Sequence, residues 1–233
     1  MNKKSLLMLF ACLLSCELHA AWYSGINLGV NSVTVKKELT YPLEEQTPSL
    51  AIFRSGYTSF YGQLLGGYEH GFSENISAAL ELNIDFLTGR ARHTINGWYF
   101  TENVYAQEQL EYGFALFLLP AYKYNDMLRF FAGPGISQNR FAIGVNNTAG
   151  NIGISGNLDQ WITGGGLKAG TITKLTPHLD LLLTYQFMQY SSASWTHIEP
   201  LSEETLSGRY KPNTNTFLVG LRFNFSDSTD TTK

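Results

Sequence analysis

Charged side chains recur at alternate positions of otherwise apolar runs, where they would face a protein interior. Glu81 and Asp85 share one run, and Glu111, Lys168 and Arg222 occupy equivalent positions in three others. A buried charge needs an opposite charge, hydrogen bonds or water. Because both signs occur, we predict a salt-bridged plug, with the carboxylates at mid-height or above and the two cations lower. Separate water pockets around single charges are the alternative.

Residue types suited to catalysis or metal binding occur without a spacing that fixes their geometry. Ser194, His197 and Glu199 fall in one predicted loop, which does not orient a triad. His93 and His197 offer two metal ligands without a third. The glycines that precede Lys168 lack the spacing and the Ser or Thr of a phosphate-binding loop. We therefore expect no catalytic residue, no metal site and no cofactor, and we predict that the chain is not an enzyme.

The elements that must position the charges are strands, because apolar residues alternate with polar or small ones at a period of two. The runs are about ten residues long, the length that a tilted strand needs to cross the apolar layer of a membrane. The four clearest runs are Ile76–Phe86, Leu110–Leu118, Leu179–Phe187 and Phe217–Phe225. Four weaker runs bring the number to eight: Trp22–Lys36, Tyr57–His70, Leu128–Ser137 and Leu158–Thr173.

The connections between these runs alternate in length. Short ones are predicted at Gly71–Asn75, Asn125–Met127 and Lys174–Pro177. Long ones are predicted at Glu38–Gly56, Gly89–Val104, Gln138–Asn157 and Ser191–Asn213. Short turns at one end and long loops at the other are typical of outer-membrane barrels. The fold class is therefore predicted as all-β, an eight-stranded antiparallel transmembrane β-barrel over residues 21–225. A soluble periplasmic β-sandwich is the alternative.

The first twenty residues have the pattern of a cleavable signal peptide. Lys3 and Lys4 precede a short apolar run, and Ala20 offers a small residue before a cut. Cys16 ends a partial lipobox, so lipidation of this residue is the competing route. Residues 226–233 are predicted to form a polar C-terminal tail.

Composition agrees with a wall that faces lipid. Charged residues make up 15% of the chain and aromatics 14%, and the formal net charge is −3. A slightly acidic chain argues against a nucleic-acid surface. Aromatic side chains are predicted to form two interfacial rims. The periplasmic rim would include Trp22, Tyr23, Tyr68, Phe72, Tyr122, Tyr124 and Phe130, and the outer rim Tyr57, Phe60, Tyr105, Phe187 and Tyr190.

Several segments resemble the small outer-membrane barrels of the OmpA-like and opacity-protein superfamily of Gram-negative bacteria. Ala21–Gly29 resembles their first strand, and Phe130–Ile136 resembles their glycine-rich fifth strand. Gly164–Leu167 and Leu181–Phe187 are similar to strands six and seven. The resemblance implies an outer-membrane location, contact with membrane lipid and recognition by the outer-membrane assembly machinery. Phe225 matches the aromatic residue of the assembly signal, although eight residues follow it.

The superfamily includes surface antigens, adhesins, wall anchors, narrow channels and lipid enzymes, so the resemblance implies no single activity. We favour a structural or surface-interaction protein with a largely filled interior, which would bind host or extracellular ligands through its long loops. A narrow channel for small or apolar solutes is the alternative, and a lipid-modifying barrel enzyme is the third interpretation.

Overall fold

The computed structural model describes residues 20–43, 46–95, 104–147, 156–198 and 205–225. Residues 1–19 of the predicted signal peptide, with Cys16, lie outside this described part, as does the predicted tail. The middles of the four outer connections also lie outside it.

Antiparallel strands form one sheet that closes on itself, because β1 pairs with both β2 and β10. The strands are β1 (Ala20–Leu43), β2 (Gln46–Gly71), β3 (Ile76–Leu87), β4 (Ala91–Ile95), β5 (Val104–Lys123), β6 (Leu128–Asn147), β7 (Gly156–Thr176), β8 (Leu179–Tyr190), β9 (Ala193–Ile198) and β10 (Thr205–Asn224). Both β3 and β4 pair with β5, and both β8 and β9 pair with β10. Each couple forms one interrupted strand, so the ring has the eight strands that the sequence predicts.

A glycine marks the interruption between β3 and β4. Gly89 has a φ of 143°, a conformation that residues with a side chain rarely adopt. A Cβ at this position would also lie 2.6 Å from the Cβ of Ser59. The chain therefore leaves the ladder at Thr88 and rejoins it at Ala91.

Two of the short turns lie where they were predicted, and the third, predicted at Lys174–Pro177, begins later because β7 continues to Thr176. Residues 72–75, 124–127 and 177–178 connect neighbouring strands at one end of the barrel. In the second turn, the Asn125 side chain accepts hydrogen bonds from the backbone of Met127 and Leu128, at 2.9 and 2.8 Å. A hydrogen bond from Lys123 lowers the pKa of the Asp126 carboxyl in the same turn.

The strands are longer than the ten residues predicted from sequence. β3 has 12 residues and β2 has 26. Six of the eight strands in the ring have 20 residues or more. Much of each predicted long loop is thus strand, including Gln46–Gly56 and Gln138–Asn147. The physical reason is that inward and outward side chains continue to alternate above the apolar layer. The outward residues there are polar, so the sequence no longer shows the alternating apolar pattern of a membrane strand. Val33 and Val35 still point inward there and are fully buried.

Large apolar side chains cover the outside of the barrel in a continuous belt. Its outer edge is formed by Val30, Phe60, Phe86, Phe114, Ile136 and Phe217, which are all exposed by 48% or more. Trp22 and Tyr122 lie at its periplasmic edge. Eight residues separate Trp22 from Val30, which is about 20 Å along the membrane normal for a strand tilted by roughly 40°. No helix long and apolar enough to cross a membrane occurs in the described part of the chain.

The prediction of two aromatic rims holds only for those residues whose side chains point out of the barrel. Trp22, Phe72, Tyr122, Tyr124, Phe130 and Phe60 are exposed. Tyr23 and Tyr190 point into the barrel and are only 3% and 4% exposed, and Tyr57 packs against the buried core. Strand parity decides this, because a shift of one residue moves a side chain to the other face. The side chain of Tyr105 lies outside the described set.

Candidate functional site

A buried ion pair lies at mid-height in the lumen. The Lys168 ammonium donates to Glu81 Oε1 at 2.6 Å, and both side chains are almost fully buried. Lys168 also donates to Gln63 Oε1 at 3.1 Å and lies 5.3 Å from the centre of the Phe117 ring. β7 and β3 carry the two charges on opposite walls, so their contact closes the lumen at this level.

Gln63 extends this layer towards Asp85. Its amide nitrogen donates to Asp85 Oδ1 at 2.9 Å, and its oxygen accepts from Asn27 at 2.8 Å. The same nitrogen lies 3.4 Å from the Gln186 oxygen. We call Glu81, Lys168, Gln63, Asp85 and their amide partners the middle layer. Every charge in this layer has a polar neighbour from another strand.

A second charged layer closes the periplasmic end. Arg222 donates to Glu69 at 2.5 Å and approaches Asp180 at 3.4 Å. Arg129 contacts the same two carboxylates, at 2.8 and 3.2 Å. Ser77 donates to Glu69 at 2.7 Å. Two arginines and two carboxylates thus balance each other, and we call this group the lower layer.

Tyr23 connects the two charged layers. Its hydroxyl donates to Glu81 Oε2 at 3.0 Å, and its ring lies 4.1 Å from the Arg222 guanidinium carbon. A Cβ at Gly67 would overlap this ring, so glycine provides the space that the ring occupies. A small cavity lies between the layers, lined by apolar side chains as well as by Lys168 and Arg222.

Large apolar side chains and one ion pair fill the outer part of the lumen. Val33, Leu110, Phe141, Ile162 and Met188 are each 1% exposed or less and fill the barrel above the middle layer. Higher still, the ammonium of Lys37 on β1 pairs with Glu108 on β5, and both side chains are fully buried. Ser55 also donates to Glu108 at 3.1 Å. This upper layer completes the filling of the lumen.

The prediction that Glu111 points inward is wrong. The register between β5 and β6 shifts between Leu110 and Gly113, so Glu111 and Tyr112 both face Arg140. Glu111 lies 3.5 Å from Arg140, which also binds the exposed Asp159. The bulge turns Glu111 to the outside, and Glu108 takes the inward position.

The structure thus divides the predicted charge set. Glu81 and Lys168 are in direct contact, Asp85 joins them through Gln63, and Arg222 belongs to the lower layer. The predicted set does not include Glu69, Asp180, Lys37 or the amides of the middle layer. Their inward parity was a signal in the sequence, since each falls on the polar face of its run.

Phe225 lies next to the seam where the barrel closes. Its backbone nitrogen donates to the Trp22 oxygen at 3.0 Å, and its side chain is 67% exposed. Its role as an assembly signal stays a prediction.

The residues considered for catalysis form no assembled site in the described part. Ser194 and His197 lie on β9 and not in a loop, and Glu199 lies outside the described residues. Among described residues, no group of three or more His, Cys, Asp and Glu side chains is placed to hold a metal ion.

A closed antiparallel barrel with an apolar belt and a polar interior defines an outer-membrane β-barrel protein. No protein-family model matches the chain, and no curated protein matches it. Solved structures do. The outer membrane protein OprG from Pseudomonas aeruginosa is 13% identical, with a TM-score of 0.54; the match covers 89% of this chain and 98% of that one.

The outer membrane protease OmpT from Escherichia coli is 9% identical, with a TM-score of 0.50, and the match covers 88% and 97% of the two chains. A major outer membrane protein from Thermus thermophilus is 14% identical over 83% and 99%, with a TM-score of 0.46. OprG and OmpT are bacterial outer-membrane proteins, and the chain has their fold. The shared fold transfers no activity, because one fold serves many functions.

Proposed function

We propose that this protein is a closed outer-membrane barrel that acts through its outer surface, as a surface antigen or adhesin does. The observation that carries the proposal is the filling of the lumen at three levels. The lower layer, the middle layer and the upper layer each contain an ion pair that joins non-adjacent strands across the lumen. A wide aqueous path would have to break all three.

The outer ends of the strands support the same conclusion. β1 continues for 13 residues above Val30, and β2 begins 14 residues before Phe60. Such hairpins hold a binding surface in a defined conformation, which a mobile loop does not. The barrel would then be the rigid base of a surface that projects from the cell.

Conductance and adherence together test the proposal. The purified protein, reconstituted in planar bilayers, should show no large steady conductance. Cells of a non-adherent host that display it should attach to some members of a panel of immobilised glycans and matrix proteins. Cutting the β6–β7 hairpin back to the Ile143–Leu158 pair, or the β1–β2 hairpin to the Thr40–Leu50 pair, should reduce that attachment.

A variant with a two-residue Asn-Gly turn in place of residues 72–75 is the matched control, since it alters the periplasmic end. Each variant must first show the heat-modifiable gel migration of a folded barrel. Steady conductance of the wild type would favour the narrow channel. Attachment that survives both hairpin cuts would contradict the surface role.

A further inference from the structure

Cations line up across three strands on the outside of the barrel, above the apolar belt. Lys36 on β1 is the direct register partner of Arg54 on β2 and of Lys211 on β10. Arg209 lies one outward position further from the membrane, opposite Glu38. We call Lys36, Arg54, Arg209 and Lys211 the basic row.

The basic row carries more positive charge than its surroundings neutralise. Lys36 binds Glu38 at 2.8 Å, and Glu38 is also the carboxylate that Arg209 and Lys211 approach. One carboxylate thus faces four cations among the described residues of this surface. Like charges directly opposite each other destabilise a sheet, so an external anion here would stabilise it.

The opposite side of the barrel shows a different arrangement. Arg140 also lies above the belt, but it is held by Asp159 and Glu111 and lies over the Tyr112 ring at 5.7 Å. Its charge is therefore already compensated by two carboxylates. The excess of cations is a property of the β2–β1–β10 face.

The height of the basic row indicates the kind of anion. Val30 pairs with Phe60 and Phe217 at the edge of the belt, and two rows of uncharged residues separate this edge from Lys36. Six residues along a tilted strand place Lys36 about 15 Å above the hydrocarbon. A phospholipid headgroup region is only about 6 Å deep on each side. An anionic group that reaches this height must therefore be carried on a taller structure than a phospholipid headgroup, such as a sugar chain.

We propose that the basic row binds phosphate groups on the sugar core of an outer-leaflet glycolipid. Neighbouring strands are about 4.8 Å apart, so three cations in one row can surround a single phosphate. Arginine can bind it with two parallel hydrogen bonds, and lysine adds a point charge. The ligand would lie beside the barrel and brace the β1–β2 hairpin against the membrane.

Binding of purified lipopolysaccharide to the refolded, detergent-solubilised protein tests this proposal. The probes are a lipopolysaccharide with a phosphorylated core, the same material after removal of the core phosphates, and phosphatidylglycerol micelles. The phosphorylated core should bind tightest, and 10 mM inorganic phosphate should not displace it. Arg54→Gln/Lys211→Gln should weaken it roughly 30-fold, given the effect of each cation near an anionic surface.

Lys123→Gln/Lys174→Gln is the matched control, because it removes two cations from the periplasmic end, one partly exposed and one exposed. This variant should bind like the wild type. Equal loss in both double variants would mean that net charge alone drives binding, and would overturn the proposal. Equal binding of all three probes would also overturn it. So would heparin binding that exceeds binding of the phosphorylated core, which would point to an extracellular polyanion.

Discussion

The middle layer makes a prediction that separates an ion-paired plug from isolated polar residues. We expect Lys168→Met to destabilise the barrel strongly, because Glu81 then keeps a buried charge with no cation against it. The Tyr23 hydroxyl would still donate to that carboxylate at 3.0 Å, but a neutral donor replaces little of the ion pair. Glu81→Gln should be costly for the converse reason, since Lys168 would lose its directly bound carboxylate and retain the amide oxygens of Gln63 and Asn83 and the Phe117 ring.

The size of the expected destabilisation follows from the burial of Glu81 and Lys168. The two side chains are 2% and 6% exposed, and removal of one partner of such a pair typically costs about 3–5 kcal/mol. Removal of both charges leaves no ion to desolvate and should cost about 1 kcal/mol. The double variant Glu81→Gln/Lys168→Met should thus be more stable than either single variant, with a coupling energy of about 3 kcal/mol or more.

Urea unfolding of the protein refolded into phospholipid vesicles measures these values. Tryptophan fluorescence gives the transition, and heat-modifiable gel migration shows that each variant starts folded. Lys123→Met is the control, because Lys123 pairs with a carboxylate in an exposed turn, and its midpoint should not move. Additive effects of the two buried substitutions would refute the reasoning, since they would mean that each charge is solvated separately by water.

Three further predictions concern other parts of the barrel. Gly133→Val should abolish the heat-modifiable form, because a Cβ there would overlap a backbone carbonyl of β5, whereas Gly165→Val has open space and should fold normally. Glu108→Gln should lower the free energy of unfolding by about 3 kcal/mol, measured by urea, while the outward-facing Glu111→Gln should leave it unchanged; equal effects would contradict the bulge. Phe225→Ala should slow assembly in cells, seen as more unfolded band in pulse-labelled envelopes, and an unchanged rate would remove its role as an assembly signal.

The fold was largely predictable because strand alternation is a local signal. Each charge predicted to point inward, except Glu111, lies on the face that strand parity gave it. The predicted heights were less accurate, because Lys168 lies level with Glu81 and not below it. The sequence did not predict which of the inward charges form ion pairs with each other. Whether Arg222 binds Glu81 or Glu69 depends on the stagger of β10 against β2 around the closed ring, which no single run encodes.

Two errors have specific physical causes. The bulge at Glu111 adds one residue to β5 without changing the apolar pattern that follows, so Leu110 seemed to continue the outward face when it is fully buried. The outer strand extensions were taken for loops because their outward residues face water and are polar. In these extensions only the inward residues, such as Phe141 and Tyr210, are apolar. An apolar residue at every second position, without an apolar outer face, is weak evidence for a membrane strand.

The distribution of charge over the molecule links the lumen to the outer surface. Inside, Lys168 and Arg222 are each matched by carboxylates on other strands, so the interior charges are used to hold the walls together. Outside, the basic row has one carboxylate for four cations among the described residues, and that excess does not stabilise the fold. A charge pattern that costs stability and lies on a rigid projecting face is best explained by an anion from outside the chain. The closed lumen and the unbalanced surface therefore support the same proposal, that this protein acts through its outer wall.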